Sequence, residues 1–266
     1  MKRLLRRAAL AASLLLALPA SAWAEADQVR IVMPYGLAYL PTYVAVDRGL
    51  IQKHAAAAGL GGVKVTVTHM ASGPASSDVL LAGDADLAMG GFGPAFILWD
   101  KTRGAQKVRG VTPLSGGPIL LLSTDPRIRS IRDFGPNDRI AVSAIKVTGQ
   151  AVAIQMAAAK EWGWDQRFRL DPLLVSMSNP DAMAMLLSGS SEVKTHASIP
   201  PFSLEEMESG KVHVVMSSED YLEPGTSIAV MYGTARFHDG SPKLYAATAA
   251  AFEEAFEFIR QDPGIM

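Results

Sequence analysis

The reading of residues 63–89, VKVTVTHMASGPASSDVLLAGDADLAM, decides the fold class. Val63 to His69 alternates apolar and polar side chains, the period of a strand with one buried face. Ser72-Gly73-Pro74 ends the alternation. Pro suits the first turn of a helix, where its missing N–H would have had no intrahelical partner. Pro74 to Ala82 therefore predicts a helix and Ala85 to Met89 a short strand, with the Gly83-Asp84-Ala85-Asp86 carboxylates on a tight turn between them.

The same rhythm runs outward on both sides. Strands are expected at Val29 to Pro34, Val108 to Pro113, Ile119 to Thr124, Arg139 to Ser143, Leu170 to Val175, Glu192 to Ala197, Val212 to Met216 and Thr226 to Thr234. Helices are expected at Pro41 to Asp47, Pro94 to Thr102, Gly149 to Trp162, Pro180 to Leu187, from Pro200-Pro201, and at Pro242 to Arg260, with a helical turn at Ser130 to Gly135. Val152, Met156 and Ala159 share one face of the Gly149 helix, and Met183 and Leu187 one side of the Pro180 helix. Leu244, Ala247, Ala251, Ala255 and Ile259 form the stripe of the last helix. Alternating strands and helices define an α/β protein with largely parallel sheets.

Two breaks divide this series, Gly116-Gly117-Pro118 and Glu223-Pro224-Gly225. They predict a second lobe, 119–224, inserted between the two parts, 25–118 and 225–266, of a first lobe. Residues 1–24 stand apart. Lys2, Arg3, Arg6 and Arg7 precede the apolar run Ala8 to Leu18, and Ala22-Trp23-Ala24 follows Pro19. Basic, apolar and A-x-A segments in this order are the pattern of a secretory signal peptide, and the run is shorter than the roughly 20 residues a bilayer span needs. Cleavage is expected after Ala24, with no Cys following it to carry a lipid.

Composition narrows the function. Hydrophobic residues at 49% and charged residues at 19% support a sizeable core. The absence of cysteine excludes thiol catalysis, thiolate metal sites and disulfide stapling. A net charge of −1, without a basic block after the leader, argues against a nucleic-acid partner. No G-x-S-x-G, H-E-x-x-H or G-x-G-x-x-G occurs, and the five histidines (54, 69, 196, 213 and 238) have no i,i+4 pairing, so no catalytic residue, metal or cofactor is expected. Ser188-Gly189-Ser190-Ser191 reads as a solvated loop.

One pattern recurs where strands end: Tyr39-Leu40-Pro41, Ser72-Gly73-Pro74, Phe92-Gly93-Pro94 and Thr148-Gly149 each open a helix with Gly or Pro. In open α/β sheets ligands bind beyond the carboxyl ends of the strands, where helix starts offer free N–H groups and partial positive charge. A single such loop is ordinary helix capping; four of them predict a site for a polar or anionic group. Ser72 and Thr148 add hydroxyls, Tyr35, Tyr39, Phe92 and His196 add flat surfaces, and no Arg is present to fork around a compact anion.

Four stretches give the chain a family resemblance: Asp47-Arg48-Gly49-Leu50-Ile51; Ser72-Gly73-Pro74 with Val79 to Ala88; Ser191 to His196 with Pro200-Pro201-Phe202; and Pro242 to Phe258 with Asp262-Pro263. In order and spacing they resemble the nitrate/sulfonate/taurine-type substrate-binding proteins of ABC importers, a group that includes thiamine-precursor binders. The resemblance implies a type II periplasmic-binding-protein fold, two α/β lobes joined by a two-strand hinge. It implies a monomer that captures a small polar, anionic or heteroaromatic molecule in the interlobe cleft and delivers it to a membrane permease. Carried across, the cleft residues are Tyr35, Gly36 and Tyr39; Ser72 and Gly73; Gly91, Phe92 and Gly93; Thr148, Gly149 and Gln150; and His196 and Ser198. Members of that family continue past the last helix, so the first lobe is expected to be truncated at Met266. A periplasmic module that reports its ligand to a membrane receptor would share the fold and the cleft. An enzyme on the same fold would need a nucleophile–base pair that the sequence does not show.

Overall fold

The computed structural model describes residues 25–189, 192–223, 226–262 and 264. The leader and its Ala24 cleavage site, Ser190-Ser191, Pro224-Gly225 and Pro263 lie outside the described residues.

The strands form two separate five-stranded sheets. The first contains β1 (Gln28–Pro34), β2 (Lys64–Met70), β3 (Leu87–Gly90), β4 (Arg109–Gly116) and β10 (Ser227–Gly233), in the order β2-β1-β3-β10-β4. The second contains β5 (Leu120–Ser123), β6 (Arg139–Val142), β7 (Leu174–Ser176), β8 (Val193–Ser198) and β9 (His213–Ser217), in the order β7-β6-β8-β5-β9. Each sheet heads one of two α/β lobes.

The expectation of largely parallel sheets needs correcting. β1 pairs with β2 and β3 in parallel, and β6 with β7 and β8 likewise, but β10 and β5 run antiparallel to both of their neighbours. These reversed strands are the ones the chain lays down on entering or re-entering a lobe. β4 leads into β5 through Gly117-Pro118, and β10 returns after β9. The two crossings run side by side: Ile119 N–H donates to Ser218 Oγ at 2.9 Å, Ser218 N–H donates to Ile119 O at 2.9 Å, and Ser227 sits opposite Gly116. Two adjacent crossings of this kind form a hinge about which lobes can rotate without unfolding either core.

The helices follow the sequence pattern with local differences. α1 (Leu40–Asp47) ends at Gly49, whose φ of 61° lets the chain turn and start α2 (Leu50–Ala57), a helix the pattern missed. α3 (Gly73–Ala82) and α4 (Phe92–Lys101) follow β2 and β3. α5 (Gly149–Trp162) packs through Ala151, Ile154, Ala157 and Ala158, leaving Val152, Met156 and Ala159 half-buried at its flank; small side chains let the helix sit close on its sheet. α6 (Asn179–Ser188) similarly buries Asn179, Ala182 and Leu186 rather than Met183 and Leu187. The strand expected from Leu170 begins only at Leu174, because Asp171-Pro172-Leu173 forms a helical turn; Pro172 has no N–H to give a ladder. α7 (Phe202–Glu208) starts just after Pro201, and the short α8 (Ala235–Gly240), also missed, anchors only Phe237.

The last helix, α9 (Pro242–Gln261), buries Leu244, Ala247, Ala251, Phe252 and Ala255, with Ile259 partly buried at the end of the stripe, as its sequence pattern requires. It lies on α1 and α2, where Glu254 joins Lys53 at 2.7 Å and His54 at 2.8 Å. Its first turn is capped from the start of the described chain: Glu25 accepts the N–H groups of Lys243 (3.0 Å) and Leu244 (3.1 Å). The Asp84–Asp86 turn has a more specific use than geometry alone. Asp86 takes the Arg30 guanidinium on both oxygens, at 2.7 and 3.1 Å, and the Arg30 backbone N–H at 2.9 Å, locking β3 to β1. No described helix is long and apolar enough to cross a membrane.

Candidate ligand cleft

Between the lobes lies a cavity of about 40 Å³. The first lobe contributes Pro34, Ala38, Tyr39, Gly73, Gly91, Pro94, Ile228 and Ala229; the second contributes Ile119, Ser143, Thr148, Gly149, Gln150, Asn179 and Ile199. Pro34, Gly91, Ser143 and Ile199 stand at or just past the carboxyl ends of β1, β3, β6 and β8, the place where open α/β sheets bind ligands. Gly73, Pro94, Gly149 and Asn179 belong to the first turns of α3, α4, α5 and α6.

Local sequence explains why helices begin here. Ser72 Oγ accepts the Ala75 N–H at 3.4 Å, and Ser178 Oγ accepts that of Asp181 at 3.4 Å. Thr148 Oγ1 accepts the Ala151 N–H at 3.3 Å while donating to Ala144 O at 2.8 Å. Each cap satisfies one N–H and leaves the earlier amides of the turn free to bond a guest. The helix dipoles add partial positive charge at the same point. Every side chain lining the cavity is uncharged. Burial drives the Tyr39 phenol well above the ordinary tyrosine range, so it lines the cleft as a neutral ring.

The lobes touch around this cavity. Leu37 N–H donates to Pro200 O across the gap at 2.9 Å. A methyl on Gly91 would come 3.3 Å from Gly149 N, and one on Gly93 would overlap Val147 O. Val147 is presented by a tight turn: its N–H bonds Ile145 O at 3.0 Å around Lys146, whose φ is 73°. A γ-turn with positive φ at a side-chain-bearing residue is rare and strained. Gly36 has a φ of 139°, and its missing side chain faces Ile199 of the other lobe, an approach glycine alone permits.

The structure brings Tyr39, Gly73, Gly91, Thr148, Gly149 and Gln150 to the cavity wall. Ser72 is buried as the α3 cap. Gly36, Phe92 and Gly93 lie at the lobe contact, with Phe92 near Gly149. Tyr35 is 41% exposed outside the cavity and stacks on His69 at 4.9 Å, which itself stacks on Tyr43. His196 and Ser198 are fully buried behind the wall; His196 contacts Asn179 and Glu206, and Ser198 Oγ has no partner among the described residues. The pattern missed Ser143 and Asn179. Asn179 could have been found, because Ser178-Asn179-Pro180 repeats the strand-end, Pro-started-helix signal of the other loops.

Two α/β lobes, paired crossings and an interlobe cavity define the periplasmic-binding-protein fold. Solved structures of that fold match the chain over most of its length. The alkanesulfonate-binding protein SsuA from Xanthomonas axonopodis pv. citri, bound to MOPS, is 19% identical over 91% of this chain and 77% of its own, with a TM-score of 0.71. The periplasmic aliphatic sulphonate binding protein SsuA from Escherichia coli is 18% identical over 90% and 76%, with a TM-score of 0.64. The periplasmic nitrate-binding protein NrtA from Synechocystis PCC 6803 is 17% identical over 87% and 61%, with a TM-score of 0.67. These are the kinds of protein to which the sequence resemblance pointed. No family model and no curated protein matches the sequence.

Proposed function

We propose that the chain is the solute-capturing component of an ABC importer, a clamp without catalytic activity that closes on a small polar, anionic or heteroaromatic molecule and hands it to a permease. The observation that carries this reading is the cavity between the lobes, where four helix starts converge and no charged side chain intrudes. Such a wall suits a ligand with one accepting group and a compact apolar part. The lobe limits near Pro118 and Gly225, and a monomeric state, belong to the same reading. So does a periplasmic location after cleavage following Ala24, which N-terminal sequencing of the exported protein tests; a chain beginning at Met1 would refute it.

A thermal-shift screen of the mature chain against ethanesulfonate, MOPS, nitrate, thiamine and aromatic carboxylates tests capture. Binding to the folded state raises Tm by mass action, about 2.7 kcal/mol of stabilisation at a hundredfold excess over Kd. A dose-dependent rise with at least one class is expected; flat melting curves across the panel would refute the reading.

A further inference from the structure

Behind the cavity wall a run of hydrogen bonds has its direction fixed by two backbone groups. Ser143 N–H can only donate, and it donates to Gln150 Oε1 at 2.8 Å. The Ala197 carbonyl can only accept, and it accepts from Gln150 Nε2. The orientation of the Gln150 amide is therefore set, and its second N–H goes to Asn179 Oδ1 at 2.8 Å. With Oδ1 accepting, His196 Nε2, 3.3 Å from it, bonds as an N–H donor. His196 Nδ1 then meets Glu206 Oε1 at 2.7 Å with one proton between them, both residues being fully buried. What is left over is Asn179 Nδ2. It has no hydrogen-bond partner among the described residues, although Asn179 is only 4% exposed and lines the cavity.

We propose that Asn179 is the side-chain donor of the cleft, presenting Nδ2 to an accepting oxygen of the captured molecule, and that His196 is a positioning residue that, together with the Gln150 N–H, holds the amide in that sense. The proposal rests on the capture reading and adds to it the group the ligand must carry: a sulfonate, carboxylate or carbonyl oxygen. An ammonium group, which only donates, finds no partner there. Gln150, with both of its amide N–H groups spent on Asn179 and Ala197, has no donor left for the ligand and acts as a strut.

Two measurements test this. In long-range proton–nitrogen spectra of the 15N-labelled chain, with the His196 signals identified by their loss in His196→Gln, Nε2 is expected to be protonated without any ligand; an unprotonated Nε2 would overturn the relay. Calorimetric titrations use ethanesulfonate as the oxyanion, acetamide as the neutral carbonyl and ethylammonium as the donor-only probe. Asn179→Asp replaces the donor by a charged acceptor and is expected to weaken ethanesulfonate at least about tenfold; an unchanged Kd overturns the proposal, as does preference for ethylammonium. His196→Gln keeps an N–H toward Asn179 and is expected to stay within about threefold, whereas His196→Leu with Glu206→Leu loses the donor without stranding a carboxylate and is expected to bind about tenfold more weakly. Equal binding by these two variants would overturn the positioning role. If the wild type binds no probe at all, the capture reading fails, while the nitrogen spectra still decide the relay.

Discussion

Gly93 of α4 and the carbonyl oxygen of Val147 meet face to face across the cleft, so closely that a single methyl group on Gly93 would overlap the oxygen. Both sides of the contact are backbone, and neither can swing away as a long side chain would. Gly93→Val is therefore expected to hold the lobes apart, giving a larger radius of gyration in small-angle scattering than the wild type at saturating ligand, with weaker binding and an unchanged melting temperature without ligand. Closure indistinguishable from wild type would show that the lobes meet elsewhere.

The turn that presents Val147 bends through Lys146 at a φ of 73°. A β-branched residue tolerates that conformation poorly, so Lys146→Val is expected to cost about 1–2 kcal/mol in urea unfolding. Lys146→Gly, which adopts it freely, is expected to be neutral or slightly stabilising. Equal stabilities for the two variants would mean the turn relaxes in solution.

Asp86 accepts three hydrogen bonds from Arg30, one of them from the backbone. Because the pair is mostly shielded from water, Asp86→Ala leaves a partly buried guanidinium without its counter-ion. The expected loss is about 2–3 kcal/mol in chemical denaturation. A loss under about 0.5 kcal/mol would place the pair with ordinary surface ion pairs.

Tyr232 is wholly buried, bonds Ser77 Oγ at 2.9 Å, and has its phenol pushed up to about 12 by burial; Tyr39 is raised in the same direction. A tyrosine that ionises less readily when folded contributes stability that is complete below the unfolded value near 10 and is lost as pH climbs through 12. Unfolding free energy should fall above pH 10 by roughly 1.4 kcal/mol per pH unit for each such group. Tyr232→Phe should flatten that decline while costing about 1 kcal/mol at neutral pH. An unaltered alkaline slope would refute the assignment.

Much of the architecture was legible because local chemistry repeats. Pro and Gly marked nearly every helix start, and the period of α9 survived intact. What failed was non-local. Val29 to Pro34 reads as a strand, but nothing in Thr226 to Thr234 says that β10 will insert antiparallel between β3 and β4. The most deeply buried faces of α5 and α6 are not the ones carrying Val152, Met156, Met183 and Leu187, because Ala is weakly hydrophobic yet allows the closest packing. In the cleft, the glycines at helix starts are visible in the spacing of the loops, whereas Tyr35 and His196 rest on their flat side chains and on the family resemblance. The structure puts the first outside the cavity and the second behind its wall.

The uncharged lining of the cavity also bears on how the proposed capture would respond to salt. Recognition built from amides, hydroxyls and helix starts sheds no condensed counter-ions when a guest enters, and partly buried contacts are screened by mobile ions much less than exposed ones. A binder that relied on exposed arginines would lose affinity in brine and gain it in dilute medium. A cleft lined in this way, if it captures a ligand as proposed, should hold it with nearly the same grip as the surrounding ionic strength changes.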